Sequence, residues 1–305
     1  MQDNNASTDN LFRLNEQYLV KSGKKVKLKD YDTAYSAGFH SKEEAKQQLD
    51  SDIIRLSNLQ DKLYSHKAYS LLIIFQAMDA AGKDGTIKHV MTGVNPQGCK
   101  VYSFKEPTAR ELAHDFLWRH YAALPEKGMI VIFNRSYYEE VIVTRVHPEL
   151  ILKQNIPGIQ KTEDLGVKFW NKRFESINNF EKTLYDYGTV ILKFFLHVSK
   201  TEQKKRFLER IDNNKKNWKF SLEDIHQRQY WKDYQQAYED AISNTATGYA
   251  PWYIIPADKK WFMRMVVGDI IAGTLDSLGL KYPKLSKEAE DSLKEARQKL
   301  LAEED

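Results

Sequence analysis

The sequence predicts an α/β fold in which a doubly wound, parallel, five-stranded sheet is flanked by helices. Three observations predict it. Five short apolar runs, at 70–76, 101–104, 129–133, 189–196 and 252–255, are each bounded by polar or Gly/Pro residues and read as buried strands. Segments of helical periodicity separate them, and parallel neighbours need such crossovers. A Gly-Lys turn follows the first run directly, where sheets of this kind bind their ligands.

The elements are justified in order. Before residue 41 the chain is polar and weakly patterned, an N-terminal extension (1–40). Its basic segment KSGKKVKLK (21–29) reads as a solvated tail in preference to a phosphate-facing arm. Ser41 and Glu44 form a capping box for a helix whose apolar positions, Ala45, Leu49, Ile53, Leu56, Leu59 and Leu63, recur at three- and four-residue steps. Further helical patterns cover 84–94, 108–122 (opened by Thr108 and Glu111), 136–146, 163–186, a long stretch after Ser199, and 258–278. The main domain then spans 41–283. The last segment, 284–305, is a charged helix that reads as an exposed tail or an oligomer contact.

Composition narrows the class. The chain has 305 residues, 42% hydrophobic and 29% charged, with only 14 Gly and 8 Pro, which excludes collagen-like and disordered proteins. Cys99 is the single cysteine, so intrachain disulfides, Cys-based zinc sites and paired-thiol redox centres are excluded and a reducing cytoplasm is expected. The first ten residues lack the regions of a signal peptide, and no run reaches the roughly 18 apolar residues of a membrane span, so no membrane partner is expected. Net charge is only +4, too little to declare a polyanion-binding protein, so where the excess sits matters, and no nucleic-acid partner is expected. The eight histidines are scattered, with His114 and His120 on different helix faces, and predict no metal site. The six tryptophans read mostly as packing, with base stacking an alternative for Trp218.

Chemistry concentrates after two strands. Ala77 to Asp84 reads A-x-x-x-x-G-K-D, a degenerate phosphate loop between strand and helix. Ala81, Gly82, Asp84, Gly85 and Thr86 form the loop and helix start; Gly82 permits the tight turn, the helix N-terminus adds partial positive charge, and Lys83 supplies a point charge. Asp84 stands where a hydroxyl normally holds magnesium, so Asp79 becomes the candidate ligand. The bland alternative is a Gly-Lys turn with Asp79 solvated. After the third strand comes Asn134-Arg135-Ser136-Tyr137-Tyr138-Glu139-Glu140. An amide occupies the place of the usual acid, leaving Glu139 as the second candidate for metal, while Arg135 offers bidentate donors to a phosphate. Against this stands a purely structural reading, in which Asn134 and Ser136 cap a helix and Glu139 pairs with an arginine.

The segments AMDAAGKDGTI (77–87), KEPTARELAHDFLWR (105–119), FNRSYYEE (133–140), KKRFLERIDNNKKNWKF (204–220) and APWYIIPADKKWF (250–262) together resemble the polyphosphate kinase 2 family. The resemblance implies a phosphate-loop kinase fold similar to thymidylate kinase, with a mobile helical lid at about 200–232. It implies Mg2+-dependent phosphoryl transfer between inorganic polyphosphate and nucleotides. The Asn134 and Glu139 pair is similar to the subgroup that phosphorylates both AMP and ADP, with guanine nucleotides as further acceptors. A homo-oligomer, dimer or tetramer, is expected. Between Lys204 and Arg228 eight basic residues face four acidic ones, an excess equal to that of the whole chain. Lys215, Lys216, Lys219 and Arg228 are the lid residues expected to face phosphates. The roles assigned are Lys83, Asp79 and Arg135 in catalysis, Asp79 and Glu139 on metal, and Asn134, Arg135 and Glu139 on nucleotide. Two other functions compete: an ATP-dependent nucleoside monophosphate kinase, and a non-catalytic polyanion binder.

Overall fold

A computed structural model describes residues 16–39, 41–215 and 217–303; residues 1–15, His40, Lys216, residues 304–305 and the side chain of Lys219 lie outside this set. The elements run α1 (Lys42–His66), β1 (Ser70–Gln76), α2 (Lys83–Val90), β2 (Cys99–Ser103), α3 (Ala109–Leu112), α4 (Trp118–Tyr121), β3 (Ile130–Asn134), α5 (Glu139–Val146), α6 (Glu149–Leu152), α7 (Val167–Asp186), β4 (Thr189–His197), α8 (Lys200–Ile211), α9 (Leu222–Gln227), α10 (Trp231–Thr245), β5 (Trp252–Pro256), α11 (Lys260–Ser277) and α12 (Lys287–Leu301).

The strands form one parallel sheet in the order β2-β3-β1-β4-β5 among the described residues. All seven residues of β1 are buried, as a central strand covered on both faces requires. Helices α1, α2 and α11 pack together as one group, and α5, α7 and α10 as another. The chain leaves β1 for β2 and β3 on one side, then crosses to β4 and β5 on the other. The strand order reverses at β1, and the cleft such a reversal opens lies beyond the carboxyl ends of the strands.

Two expectations from the sequence are corrected. The segment at 21–29 is not a solvated tail: Val26 and Leu28 are each 1% exposed, while Lys25 and Lys29 on either side of them face out. The Val26 amide donates to Ser243 Oγ and the Leu28 amide to Glu239 Oε1, both on α10. Just before it, the Val20 amide donates to the Trp252 carbonyl and Leu19 bridges Tyr253, so this stretch covers the edge of β5. The single helix expected over 108–122 is two short turns. Thr108 and Glu111 do make their reciprocal capping box, but Asp115 Oδ1 accepts from the Leu117 amide at 2.9 Å, a local bond that competes with helix continuation. The C-terminal helix α12 has no buried residue and leaves Leu293, Leu300 and Leu301 exposed. No helix among the described residues is long and apolar enough to cross a membrane.

The α1–α11 contact contains a buried acid. Asp52 is 2% exposed. Burial, reinforced by Asp269 on α11, pushes its carboxyl up to about 7, against the two hydrogen bonds from Gln48 Nε2 and the pull of Arg55. A carboxyl with a raised folded-state pKa favours the protonated form, so its contribution to stability is lost as pH rises from about 4 to 7. Replacing Asp52 by Asn is therefore expected to raise the melting temperature by a few degrees at pH 8 and to leave it nearly unchanged at pH 4. Equal shifts at both pH values would refute this account.

Candidate functional site

The site begins with strand register. Phe75 of β1 pairs with Asn134 of β3, and the Arg135 amide donates to the Phe75 carbonyl at 3.1 Å. The loops leaving both strands therefore start side by side. In the first loop the Ala81 amide closes a turn on the Met78 carbonyl, Ala80 takes φ +58°, and Gly82 takes φ +113° as the residue before α2. A side chain at Gly82 would be strained, and its Cβ would meet Met263 at 3.1 Å. Lys83 opens α2 and folds its ammonium back onto the Ala77 carbonyl at 2.9 Å.

Four charged groups from these loops meet. Arg135 donates to Asp79 Oδ1 at 3.0 Å. Burial, with help from Arg135, pushes the Lys83 pKa down, against the pull of Asp79, Glu139 and Asp84. Burial pushes Glu139 up, resisted by Arg135 and Lys83 and helped by Asp79. Desolvation works against the Arg135 charge, but Glu139 and Asp79 outweigh it and its pKa rises. Asp84 Oδ1 accepts from Asn134 Nδ2 at 2.8 Å, tying the start of α2 to the end of β3. Thr86 turns its hydroxyl to the Gly82 carbonyl inside the helix. Asp79, Arg135 and Glu139 border a cavity of about 770 Å3 that extends past Phe104 and Arg119 to Asp224 and Tyr230 near α9.

The segment after Ala77 and the segment after Phe133 thus come together as the sequence expects. Arg228 donates to the Lys200 carbonyl and to Gln203 Oε1 at 2.5 Å, which commits it to α8. Lys215 is exposed, and its carbonyl accepts from the indole of Trp218, itself 75% exposed. Lys219 ends a short 3₁₀ turn, Asn217–Lys219, and Lys216 lies outside the described residues. Trp170 and Trp252 are buried packing residues.

Two residues that hold the phosphate loop escaped the sequence reading. Arg206 of α8 donates to the carbonyls of Ala80, Ala81, Ala257 and Asp258 and pairs with Glu202 at 2.8 Å. Gln203, one helical turn before it, donates to the Asp79 carbonyl at 2.9 Å. The signal available was Gln203 and Arg206 beside Phe207 on the inward face of a helix, where apolar residues are the rule.

Behind the second loop lies a buried ion pair. Lys193 of β4 and Glu181 of α7, both 0% exposed, meet at 2.6 Å. Lys193 also donates to Tyr138 Oη and the Thr245 carbonyl, and Glu181 Oε1 accepts from both Tyr137 and Tyr138. Arg135 sits at φ +65°, a conformation costing an L-residue roughly 1–2 kcal/mol, two residues before the pinned tyrosines.

The Polyphosphate kinase 2 (PPK2) family model matches residues 39–282. The chain belongs to the polyphosphate kinase 2 family. It is 50% identical over 286 residues to the ADP-polyphosphate phosphotransferase of Rhodopseudomonas palustris, covering 94% of this chain and 98% of that one. It is 45% identical over 269 residues to the AMP/ADP-polyphosphate phosphotransferase of Meiothermus ruber, covering 88% and 95%. The crystal structure of polyphosphate kinase 2 from Arthrobacter aurescens superposes with a TM-score of 0.82 at 38% identity, over 92% of this chain and 95% of that one. The fold is that of the phosphate-loop kinases, and the family is one of phosphotransferases. Among the described residues, no three His, Cys, Asp or Glu side chains gather as a ready-made metal cage.

The ion pair allows a test of how this polyphosphate kinase 2 fold supports its second loop. Removing one partner leaves a buried charge uncompensated, so Lys193→Met and Glu181→Gln should each cost about 3–5 kcal/mol, and the double variant less than their sum. Urea unfolding of all four proteins measures this, and additive losses would show that the pair is not coupled.

Proposed function

We propose that this protein transfers phosphoryl groups from inorganic polyphosphate to AMP and ADP, making ADP and ATP, with Mg2+. The observation that carries the reading is the cluster of Lys83, Asp79, Arg135 and Glu139 at two adjoining strand ends, bordering a cavity within the 300–1,000 Å3 typical of ligand pockets. Phosphoryl transfer asks for alignment and charge neutralisation more than for covalent chemistry. A polyanion-binding module has no use for carboxylates in its phosphate site. The names of the Rhodopseudomonas palustris and Meiothermus ruber relatives support polyphosphate over ATP as donor.

The donor set fits a divalent ion. Asp79, Asp84 and Glu139 outnumber Lys83 and Arg135, so phosphates can enter only with added positive charge. Mg2+ is commonly held by one or two carboxylates plus phosphate oxygens and water, a role for Asp79 and Glu139. When bound, the ion would neutralise charge on the reacting phosphates. The chain's own groups do the rest. Lys83 exchanges the Ala77 carbonyl for a phosphate oxygen, the loop amides from Ala81 to Thr86 point positive dipole at the same group, and Arg135 holds the nucleotide phosphate against Asp79. Asn134 fixes Asp84 and so the start of α2. The segment around 200–232, carrying Lys215, Lys216, Lys219 and Arg228, closes over the reactants and keeps water out. For Arg228 that role requires release from Gln203.

Acceptance of both AMP and ADP rests on the Asn134 and Glu139 pair and on the Meiothermus ruber relative's name. The same proposal takes the 41–283 segment as the kinase domain, the cytoplasm as its compartment and a homo-oligomer as its working form. Incubation with AMP, Mg2+ and polyphosphate, without ATP, is expected to yield ADP and then ATP. Absence of product would overturn the reading, and ADP alone would limit it to the first transfer. Lys83→Met should lower kcat by ~10²-fold or more while leaving the melting curve in place, because it removes a charge that acts on the transferred group. Near-normal turnover in that variant would refute its role.

A further inference from the structure

Helix α12 has every local signal of a helix and none of its residues is buried. Ser286 caps it by accepting from the Ala289 amide, Glu288 and Glu290 stand in its first turn, and Lys299 stands in its last, as the helix dipole favours. Leu293 and Leu300 are 58% and 65% exposed. A helix of 15 residues is marginal in water on its own, so its stability must come from packing. The segment that the family shares, 39–282, ends before it.

The sequence of the helix says what covers it. Ala289, Leu293, Ala296 and Leu300 recur at four-, three- and four-residue steps, the spacing of a coiled-coil seam. Glu290 and Arg297 flank that seam one heptad apart. Neither makes an ion pair among the described residues, whereas Lys294 and Lys299 pair with Asp291 and Glu295 of the same helix. A second α12 turned end for end sets its Leu300 against Ala289, its Ala296 against Leu293 and its Arg297 beside Glu290. Each layer then joins a leucine to an alanine, which lets the helices approach closely. In a parallel pair, Glu290 and Arg297 would meet Leu285 and Ser292 instead, and both charges would go unanswered. A lipid surface suits the helix less well, because its four basic residues are matched by four acidic ones and it lacks the basic polar face of interfacial helices. We infer that α12 pairs antiparallel with α12 of a second copy of this chain about a two-fold axis, burying Leu293 and Leu300 and joining Glu290 to Arg297 twice. The inference rests on the proposed homo-oligomer, for which it names one contact, and is independent of the transfer reaction.

The experiment is disulfide linking in the full chain. Ala289→Cys and Leu300→Cys are introduced singly and together into a Cys99→Ser background, which removes the native thiol. Within one helix the two positions are about 16 Å apart, too far for a disulfide, so only pairing between copies can join them. In a glutathione redox buffer the double variant should become mostly linked dimer, and each single variant should give less than about a tenth as much, because antiparallel copies hold like positions apart. Adding Glu290→Lys to the double variant should slow linking about three-fold or more, and adding Arg297→Glu as well should restore it. If Cys99→Ser fails to fold, Cys99 is kept and peptide mapping identifies the linked pair. Linking by Ala289→Cys alone would show a parallel pair. No linking in the double variant, or linking indifferent to Glu290→Lys, would show that the seam has another occupant. Each of these results overturns the inference. Sedimentation of the wild type separates this contact from the broader proposal: an oligomer whose α12 helices do not link keeps the homo-oligomer and discards the α12 pair.

Discussion

The Phe75 carbonyl at the end of β1 accepts from the Arg135 amide just past the end of β3, and this hydrogen bond continues a parallel register that runs from Leu71 opposite Ile130 to Phe75 opposite Asn134. Each loop alone would be an ordinary turn. Because the sheet forces them to begin within one hydrogen bond of each other, Lys83 and Asp79 from the first loop face Arg135 and Glu139 from the second. Burial works against the charges of Lys83, Glu139 and Arg135, and opposite charges drawn from both loops oppose it in each case. The cluster is therefore a property of the β1–β3 pairing, and the chemistry depends on it.

Such an arrangement needs support from behind, since like and opposite charges pull the loops in several directions and Arg135 holds a backbone conformation unfavourable to any side chain. The supports are themselves charged and buried. Arg206 gathers four carbonyls from the phosphate loop and the turn after β5, which fixes the outer wall of the loop. Lys193 and Glu181 pin Tyr137 and Tyr138, which fixes the turn between Arg135 and Glu139. A hydrophobic core alone tolerates small slips; hydrogen bonds with a defined number and direction do not. Placing saturated polar networks behind both loops converts the rigidity of the sheet into positional accuracy at the reacting groups.

The lid shows the opposite logic. Arg206 apart, Arg210 pairs with Asp224, and Arg228 bonds Gln203 and the start of α8. These contacts are partly exposed and individually weak, so exchanging them for substrate phosphates costs little.

Much of the site was legible because its signals are local. A buried run followed by Gly-Lys specifies a strand, a turn and a helix N-terminus within a dozen residues, and Asn134 to Glu140 does so again. The alternation of β and α segments specifies a parallel sheet for the same reason. What was misread was set by distant contacts. Lys25-Val26-Lys27-Leu28-Lys29 carries a two-residue alternation, but its meaning depends on α10 and the exposed edge of β5 being there to receive it. The 108–122 helix has good propensity and an excellent cap, yet breaks at Asp115. Arg206 and Lys193 look like solvent-facing cations in one dimension, and only the fold reveals that each sits among acceptors from segments far away in the chain. The amino-acid sequence determined the strands, the loops and the kinds of charge they carry, because those follow from backbone preference and periodicity. The tertiary structure decided which charges meet, because Coulomb energy and burial depend on distances that only the folded chain sets.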